Sequence, residues 1–402
     1  MTHATNAEQL AGPAPGAASS NGGQMAAHKG RNRTALWVAL AAVLIPIVCL
    51  AIPMYVIRPF RPQDPTQLAV ALAVRGLTPW VSAICAIVVV FISIRAWRRP
   101  SGWLLRSALG VLSSIAITCA VLSHVNIFEM MFHPYEAPAF GSADSAQVDA
   151  DDKVLAVTIG SEAHAYPIRT MGYHHIVNDT VGNTPIAVTY CTLCHTGLVW
   201  SRSMDGQILS FRLAGINNGN ALIRDEQTNS IWQQSTGRAI FGPLRGRQLT
   251  LIHSDELTFA LWRKEQPSGL VLKPDELYAS DYESKDWEKS IEKKPTVVDT
   301  RQSGIGPHEL MLGVTNEGQS KAYPIKTVLA AKLIQDRVGG VSLAILVGPD
   351  LASIRVFAVP TSSQPLTFVP IPSQDAASKD GLIRDVETAS VWNFRGCAIQ
   401  VR

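Results

Sequence analysis

Two cysteines three positions apart, Cys191 and Cys194, followed at once by His195, stand in the stretch VTYCTLCHTGLVW. Thiolate sulfur is both a soft metal ligand and an oxidisable nucleophile, so this spacing supports four chemistries. The pair can hold a soft or borderline metal, copper or zinc, with help from imidazole. It can exchange with a partner disulfide, a nearby histidine lowering the thiolate pKa. It can close a structural disulfide, or, read as C-x-x-C-H, carry haem c with His195 as axial ligand. On one straight strand the two cysteines would face opposite ways, so they act together only across a turn. The flanks supply one: "TPIAVTY" and "TGLVWSRS" both read as β-strands. A C-x-x-C turn between strands is closer to a metal knuckle than to a thioredoxin-type site, where the pair opens a helix. Metal binding is therefore the leading reading and thiol–disulfide exchange the alternative. Haem c ranks last, because no apolar pocket for a macrocycle is evident in so short a hairpin.

A tetrahedral zinc site needs four ligands, and no second C-x-x-C exists. The candidates nearest in sequence are His174 and His195, with His175 weaker. An internal repeat separates them. "AYPIRTMGYHHIVNDTVGNTPIAVTY" (165–190) recurs as "AYPIKTVLAAKLIQDRVGGVSLAILV" (322–347), and "LIRDEQTNSIWQQSTGRAI" (222–240) recurs as "LIRDVETASVWNFRGCAIQ" (382–400). The spacing is too long for a solenoid and predicts a tandem duplication of one β-rich domain with a few helices. Residues kept in both copies read as scaffold, among them Tyr166/Tyr323, Asp179/Asp336, Gly182/Gly339 and Trp232/Trp392; Arg224 and Asp225 read as a turn ion pair. Cys191, Cys194 and His195 align with Gly348, Leu351 and Ala352, and His174 and His175 with Ala331 and Lys332. All five candidate ligands vanish together from the second copy, which marks the first as the chemical one. Lysine at the His175 position predicts an exposed face there, since Lys is rarely buried, and leaves His174 to point toward the cysteines. Cys397 takes the place of Arg238 and reads as a buried free thiol.

The elements that must carry this site lie behind a membrane region. From Ala35, "TALWVALAAVLIPIVCLAIPMYVI" holds about 22 uncharged, mostly apolar residues, enough for a bilayer core of ~30 Å. Residues 77–94 and 107–128 have the same character, and Trp37, Trp80, Trp97 and Trp103 stand near the ends, where aromatic belts form. Lys29, Arg31 and Arg33 precede the first span; Arg95, Arg98, Arg99 and Arg106 separate the second from the third. The positive-inside rule then puts the N-terminus in the cytoplasm of a bacterial cell, the anchor in its inner membrane, and everything beyond about residue 130 on the outer side. Cys49, Cys85 and Cys119 fall inside the spans and read as small apolar residues. Met130, Met131 and His133 follow the third span and read as packing rather than copper ligands.

The expected organisation is a disordered cytoplasmic tail (1–33), a three-helix membrane region (34–130), a first unit with the Cys/His site (150–246), a connector (247–310) whose "SDYESKDWEKSIEKKP" (280–295) reads as charged, solvated helix and loop, and a second unit without the site (311–402). A net charge of +3 and the lack of a basic stripe interleaved with aromatics give no support for a nucleic-acid partner. No Walker loop, G-x-S-x-G, H-E-x-x-H or G-x-G-x-x-G occurs. The expected partners are the lipid bilayer and a metal-delivery or redox partner protein.

The segment "AYPIRTMGYHHIVNDTVGNTPIAVTYCTLCHTGLVW", with "LIRDEQTNSIWQQSTGRAIFGPLRG" after it, resembles the bacterial domain of unknown function 3179 family. Its members read close to A-Y-P-L-R, W-H-E-I-V-N-D, G-G-T-P-V-V-V-T-Y-C-P-L-C-G-T and S-L-W-S-Q. The resemblance covers about residues 150–402 and implies a site at His174, Cys191 and Cys194, with no established activity attached. Glycine usually stands where this chain has His195, and proline where it has Thr192, so C-x-x-C-H arises from one substitution and the haem reading weakens further.

Overall fold

The computed structural model describes residues 20–297, 299–300, 303–359, 366–371 and 382–401, with side chains from residue 30 onward. Of the tail expected over 1–33, residues 1–19 lie outside this description. From residue 20 the backbone is already helical, as a helix already nucleated propagates more readily than it starts.

The first of two compact units comprises residues 1–56 and 70–125. Its helices are α1 (Ser20–Val56), α2 (Pro65–Trp97) and α3 (Trp103–Leu122). Gly30–Val56, α2 and α3 are each long and apolar enough to cross a membrane. Small residues let the helices approach: Ala39, Ala42 and Val43 of α1 pack with Ala86 and Val89 of α2 and Leu109, Leu112 and Ala116 of α3. Ser93 and Ser113 hydroxyls meet at 3.0 Å across α2 and α3. The second helix begins at Pro65, well before residue 77, and so takes in Arg75. The third stops at Leu122 instead of near 128, and Asn126 caps a separate short helix, α4 (Ile127–Met131), by accepting from the Phe128 N–H.

The second unit comprises residues 57–69 and 126–402 and is mainly antiparallel β. Its first half holds β1 (Phe140–Ser142), β2 (Lys153–Ile159), β3 (Glu162–Pro167), α5 (Ile168–His174), β4 (Ile176–Val181), β5 (Thr184–Cys191), β6 (Thr196–Ser201), β7 (Ser203–Met204), β8 (Gln207–Ile208), β9 (Phe211–Asn217), β10 (Asn220–Asp225), β11 (Ile231–Gln233) and β12 (Ala239–Phe241). β13 (Leu251–Ile252), β14 (Asp255–Thr258), α6 (Phe259–Glu265), β15 (Leu270–Leu272) and α7 (Trp287–Ile291) follow, all within 247–310. Three larger sheets result, ordered β1-β15-β3-β2-β14, β13-β6-β5-β4 and β12-β11-β10-β9, beside the two-stranded β7-β8 ribbon, and the connecting segment completes two of the three. β15 joins β3 in parallel, and the other pairings are antiparallel.

The middle sheet is buried on both faces, which the strict alternation of β5 makes workable. Ile186, Val188 and Tyr190 enter one core with Leu155, Tyr166 and Val177. Ala187 and Cys191 enter the other with Phe211, Ile223 and Trp232.

Residues 303–359, 366–371 and 382–401 supply β16 (Met311–Asn316), β17 (Gln319–Pro324), α8 (Ile325–Ala331), β18 (Leu333–Val338), β19 (Val341–Val347), β20 (Ile354–Ala358), β21 (Phe368–Pro370), β22 (Ile383–Asp385), β23 (Val391–Trp392) and β24 (Ala398–Gln400). Several contacts recur between the halves. The Tyr166 hydroxyl donates to Asp179 at 2.6 Å and that of Tyr323 to Asp336 at 2.9 Å. The indole N–H of Trp232 donates to Asp225 at 2.8 Å and that of Trp392 to Asp385 at 2.9 Å. Gly182 and Gly339 are both left-handed, and a Cβ at Gly182 would stand 2.7 Å from the Ile159 carbonyl, so only glycine fits. Asp225 is bound by Trp232, Thr228 and Ser230, not by Arg224, which reaches Asn229 and Glu129. The expected Arg224–Asp225 ion pair is thus replaced by a buried indole–carboxylate bond, because Asp225 points inward and its neighbour on the strand points out.

Candidate functional site

The C-x-x-C segment is the tip of a hairpin. β5 runs to Cys191, β6 starts at Thr196, these two residues pair across the ladder, and His195 makes the turn in the left-handed region at φ 48°. Cys191 is buried beside Ala187 and Thr189 on its face of β5, whereas Cys194 is exposed. The turn brings the two free thiols together, close enough for each to shift the other's titration.

Their surroundings are unequal. The Cys194 sulfur accepts from the side-chain amide of Asn220 at 3.2 Å. The Cys191 thiol instead faces the Gly219 carbonyl, 3.7 Å away. Donors favour a thiolate and acceptors a protonated thiol, so the two sulfurs are driven apart. The hydrogen bond from Cys191, against the opposing effect of burial and with help from Thr196 and Asn220, holds Cys194 down at about 6. The same shared hydrogen bond and then burial push the Cys191 thiol well up.

Behind Asn220 stands a buried amide, Gln234, fully covered by protein. Its carbonyl accepts from Asn220 at 2.6 Å, and its NH₂ donates to the Thr189 hydroxyl and the Thr196 carbonyl, both at 3.0 Å. Sequence reasoning missed Asn220, Gln234 and Thr189. The comparison of the two halves held the signal, since Gln234 and Thr189 align with Phe394 and Leu346 and so change together with the cysteines.

The three histidines are distributed differently from the expectation. His174 is buried, its Nδ1 2.6 Å from the His133 carbonyl and its Nε2 3.0 Å from the Tyr282 hydroxyl, with Tyr135 against the ring. Both nitrogens are thus engaged within an aromatic cluster that also includes Tyr173 and Tyr278. His175, expected on an exposed face, is 8 % exposed and lies against Phe132 with ring centroids 4.5 Å apart. Lys332, at the matching left-handed position, is exposed. The difference comes from Phe132, contributed by the segment between α4 and β1. Burial lowers His175 to about 4, and its Nδ1 has no hydrogen-bond partner. His195 stacks on Trp287 at 4.7 Å, its Nε2 lies 3.9 Å from Glu288, and burial lowers its pKa.

Among the described residues, no three of Cys191, Cys194, His174, His175 and His195 bring ligand atoms within 4.8 Å of one another. Asp149, Asp151 and Asp152 do so, but they are surface acids with the Lys285 ammonium 3.0 Å from Asp151. Cys397, expected to be buried, is exposed at the turn before β24. The charged stretch 280–295 is not simply solvated: Trp287 and Ile291 enter the core beside Tyr190, and Tyr282 binds His174.

A β-rich domain carrying a dithiol hairpin, preceded in sequence by three apolar helices that suggest membrane association, defines the class. Residues 134–402 match the family described as Protein of unknown function (DUF3179), and the chain belongs to that family. No curated protein and no solved structure matches the chain.

Proposed function

We propose that Cys191 and Cys194 form a thiol–disulfide exchange site, with Cys194 attacking and Cys191 resolving. The observation that carries this reading is the asymmetry of the pair, an exposed sulfur facing an amide donor beside a buried thiol facing a carbonyl. The Cys194 thiolate attacks one sulfur of a partner disulfide, forming a mixed disulfide and expelling the other partner sulfur as thiolate. The Cys191 thiol then loses its proton and attacks the Cys194 sulfur, releasing the second partner thiolate. The pair is oxidised to a disulfide and the partner reduced by two electrons; the reverse sequence oxidises a partner dithiol.

The basic residues around the spans support a cytoplasmic N-terminus and an extracytoplasmic domain at a bacterial inner membrane, where disulfide partners persist. The recurring Tyr–Asp and Trp–Asp bonds, with the repeated sequence, support descent of the two halves from one duplicated unit, only the first retaining the site.

Copper or zinc held by the same two sulfurs is the competing proposal. One experiment separates them: the purified full chain is assayed for bound metal, then challenged with glutathione disulfide alongside Cys191→Ser. Metal-free protein that forms a reversible Cys191–Cys194 disulfide, with Cys191→Ser accumulating a mixed disulfide at Cys194, supports exchange. About one copper or zinc per chain, lost in Cys194→Ser and protecting the thiols, overturns it.

A further inference from the structure

We infer that Asn220, held in place by Gln234, selects Cys194 rather than Cys191 as the attacking sulfur. The inference deepens the exchange reading and rests on it, but the argument is one of hydrogen-bond direction. The Thr189 hydroxyl donates to the Leu198 carbonyl at 2.7 Å, so it can only accept from Gln234. That fixes which end of the Gln234 side chain is NH₂ and leaves its carbonyl facing Asn220 at 2.6 Å. Asn220 is fixed from its other end too, its carbonyl accepting from the Ser235 N–H at 2.9 Å. Its NH₂ therefore has two hydrogens and two acceptors, the Gln234 carbonyl and the Cys194 sulfur at 3.2 Å. No member of the chain can flip without stranding a buried polar group, which costs more than a hydrogen bond yields.

The side-chain donor thus stands on Cys194 before any substrate arrives, while the Cys191 thiol meets the Gly219 carbonyl. The Cys191 carbonyl lies 3.9 Å from the Cys194 sulfur, at the long end for a sulfur contact, and does not offset the amide. Where the second half has lost its cysteines, Phe394 and Leu346 replace Gln234 and Thr189 and enter an apolar core. A buried glutamine kept only for packing has no reason to disappear with the sulfurs. Asn220 touches the reacting atom; Gln234 is a positioning residue.

The test is a competition between two sulfurs in one chain. The reduced full-length protein is labelled with iodoacetamide at about pH 5.5, where a depressed thiol pKa tells most on the rate, and the ratio of Cys194 to Cys191 modification is mapped by mass spectrometry. The wild-type chain is expected to label at Cys194. Asn220→Leu and Gln234→Leu are expected to lower the ratio by about threefold to tenfold, the scale of one hydrogen bond to a charged group once the higher nucleophilicity of a more basic thiolate is set against it. Asn220→Asp, nearly the same in shape but without the donor, is expected to lower it as far as Asn220→Leu. A ratio kept by Asn220→Asp overturns the inference, because a role in packing alone survives that change. Alkylation needs no disulfide partner, so a selectivity loss in these variants together with no exchange toward glutathione disulfide would sink the exchange reading and leave this one standing.

Discussion

Replacing Cys191 by alanine gives a quantitative check on the site. The hydrogen bond from Cys191 is the largest of the effects holding Cys194 at about 6, ahead of Thr196 and Asn220. An ordinary thiol titrates near about 8.5. At pH 5.5 a thiol with pKa about 6 is about one quarter ionised and an ordinary one about one thousandth, a ratio of about 240. A less basic thiolate is also a weaker nucleophile, and a Brønsted coefficient of about 0.4–0.5 over about 2.5 units takes back about 10- to 18-fold. Cys194 in the wild-type chain should therefore react with iodoacetamide about 15 times faster than the cysteine of an unstructured peptide at pH 5.5, yet only about two to three times faster at pH 7. The sign follows from the acid: reactivity falls as pH drops through about 6, where the thiolate is protonated. In Cys191→Ala the inflection should move up toward the ordinary thiol range, while Cys191→Ser, which keeps a hydroxyl donor, should move it less. The assay is the pH profile of alkylation at Cys194, with a Cys194→Ser chain as the blank for other thiols. An inflection near 8.5 in folded wild-type protein, with no excess rate at pH 5.5, would refute the reasoning.

Other perturbations have defined outcomes. His175 titrates near 4 in the fold and near about 6.5 unfolded, so the unfolded chain binds more protons between those values and stability is lost as pH falls through them. His175→Asn, which tolerates the left-handed backbone, should remove about 2 kcal/mol of the destabilisation between pH 7.5 and pH 5, read from urea midpoints. Arg355 bonds Asp255 and Glu265 at 2.8 Å each with its own side chain only 9 % exposed. Arg355→Met leaves two carboxylates unpaired and should destabilise the domain by about 3–5 kcal/mol, measured by chemical denaturation. Gly237 is left-handed at φ 65°, and a Cβ there would stand 2.5 Å from the Trp200 ring. Gly237→Ala should cost about 2–4 kcal/mol and, because the Trp200 indole holds the backbone carbonyl of Gln234 at 3.1 Å, should also shift Gln234 and slow Cys194 alkylation near pH 6.

The hairpin itself was legible, since period-two alternation in "TPIAVTY" and "TGLVW" left the C-x-x-C as the turn. So were the three apolar helices, although Arg75 hid the early start of α2. The facing of His174 and His175 was misread because comparing the halves assumes equal covering, and Phe132 covers His175 where Lys332 is open. In the charged connector, Trp287 and Ile291 stand at i and i+4, a helical spacing that betrays a buried face once the surrounding lysines and glutamates are set aside. The Asn220–Gln234–Thr189 chain could not be read forward from sequence, because Asn220 on β10, Gln234 just past β11 and Thr189 on β5 meet only after the sheets pack. The insertion of β15 between β1 and β3 is non-local in the same way and has no short-range signature.

That insertion sets an order of events for the growing chain. β3 finds its second neighbour only when residues 270–272 arrive, and Trp287 joins the Tyr190 side of the hairpin later still. Until roughly ninety further residues have emerged after Cys194, the dithiol sits on an unfinished scaffold with its apolar flank open. A nascent chain released or cleaved in that interval would present two thiols without the framework that makes them unequal. Biogenesis therefore has a window in which mispairing, rather than the proposed exchange, is the chemistry open to this cysteine pair.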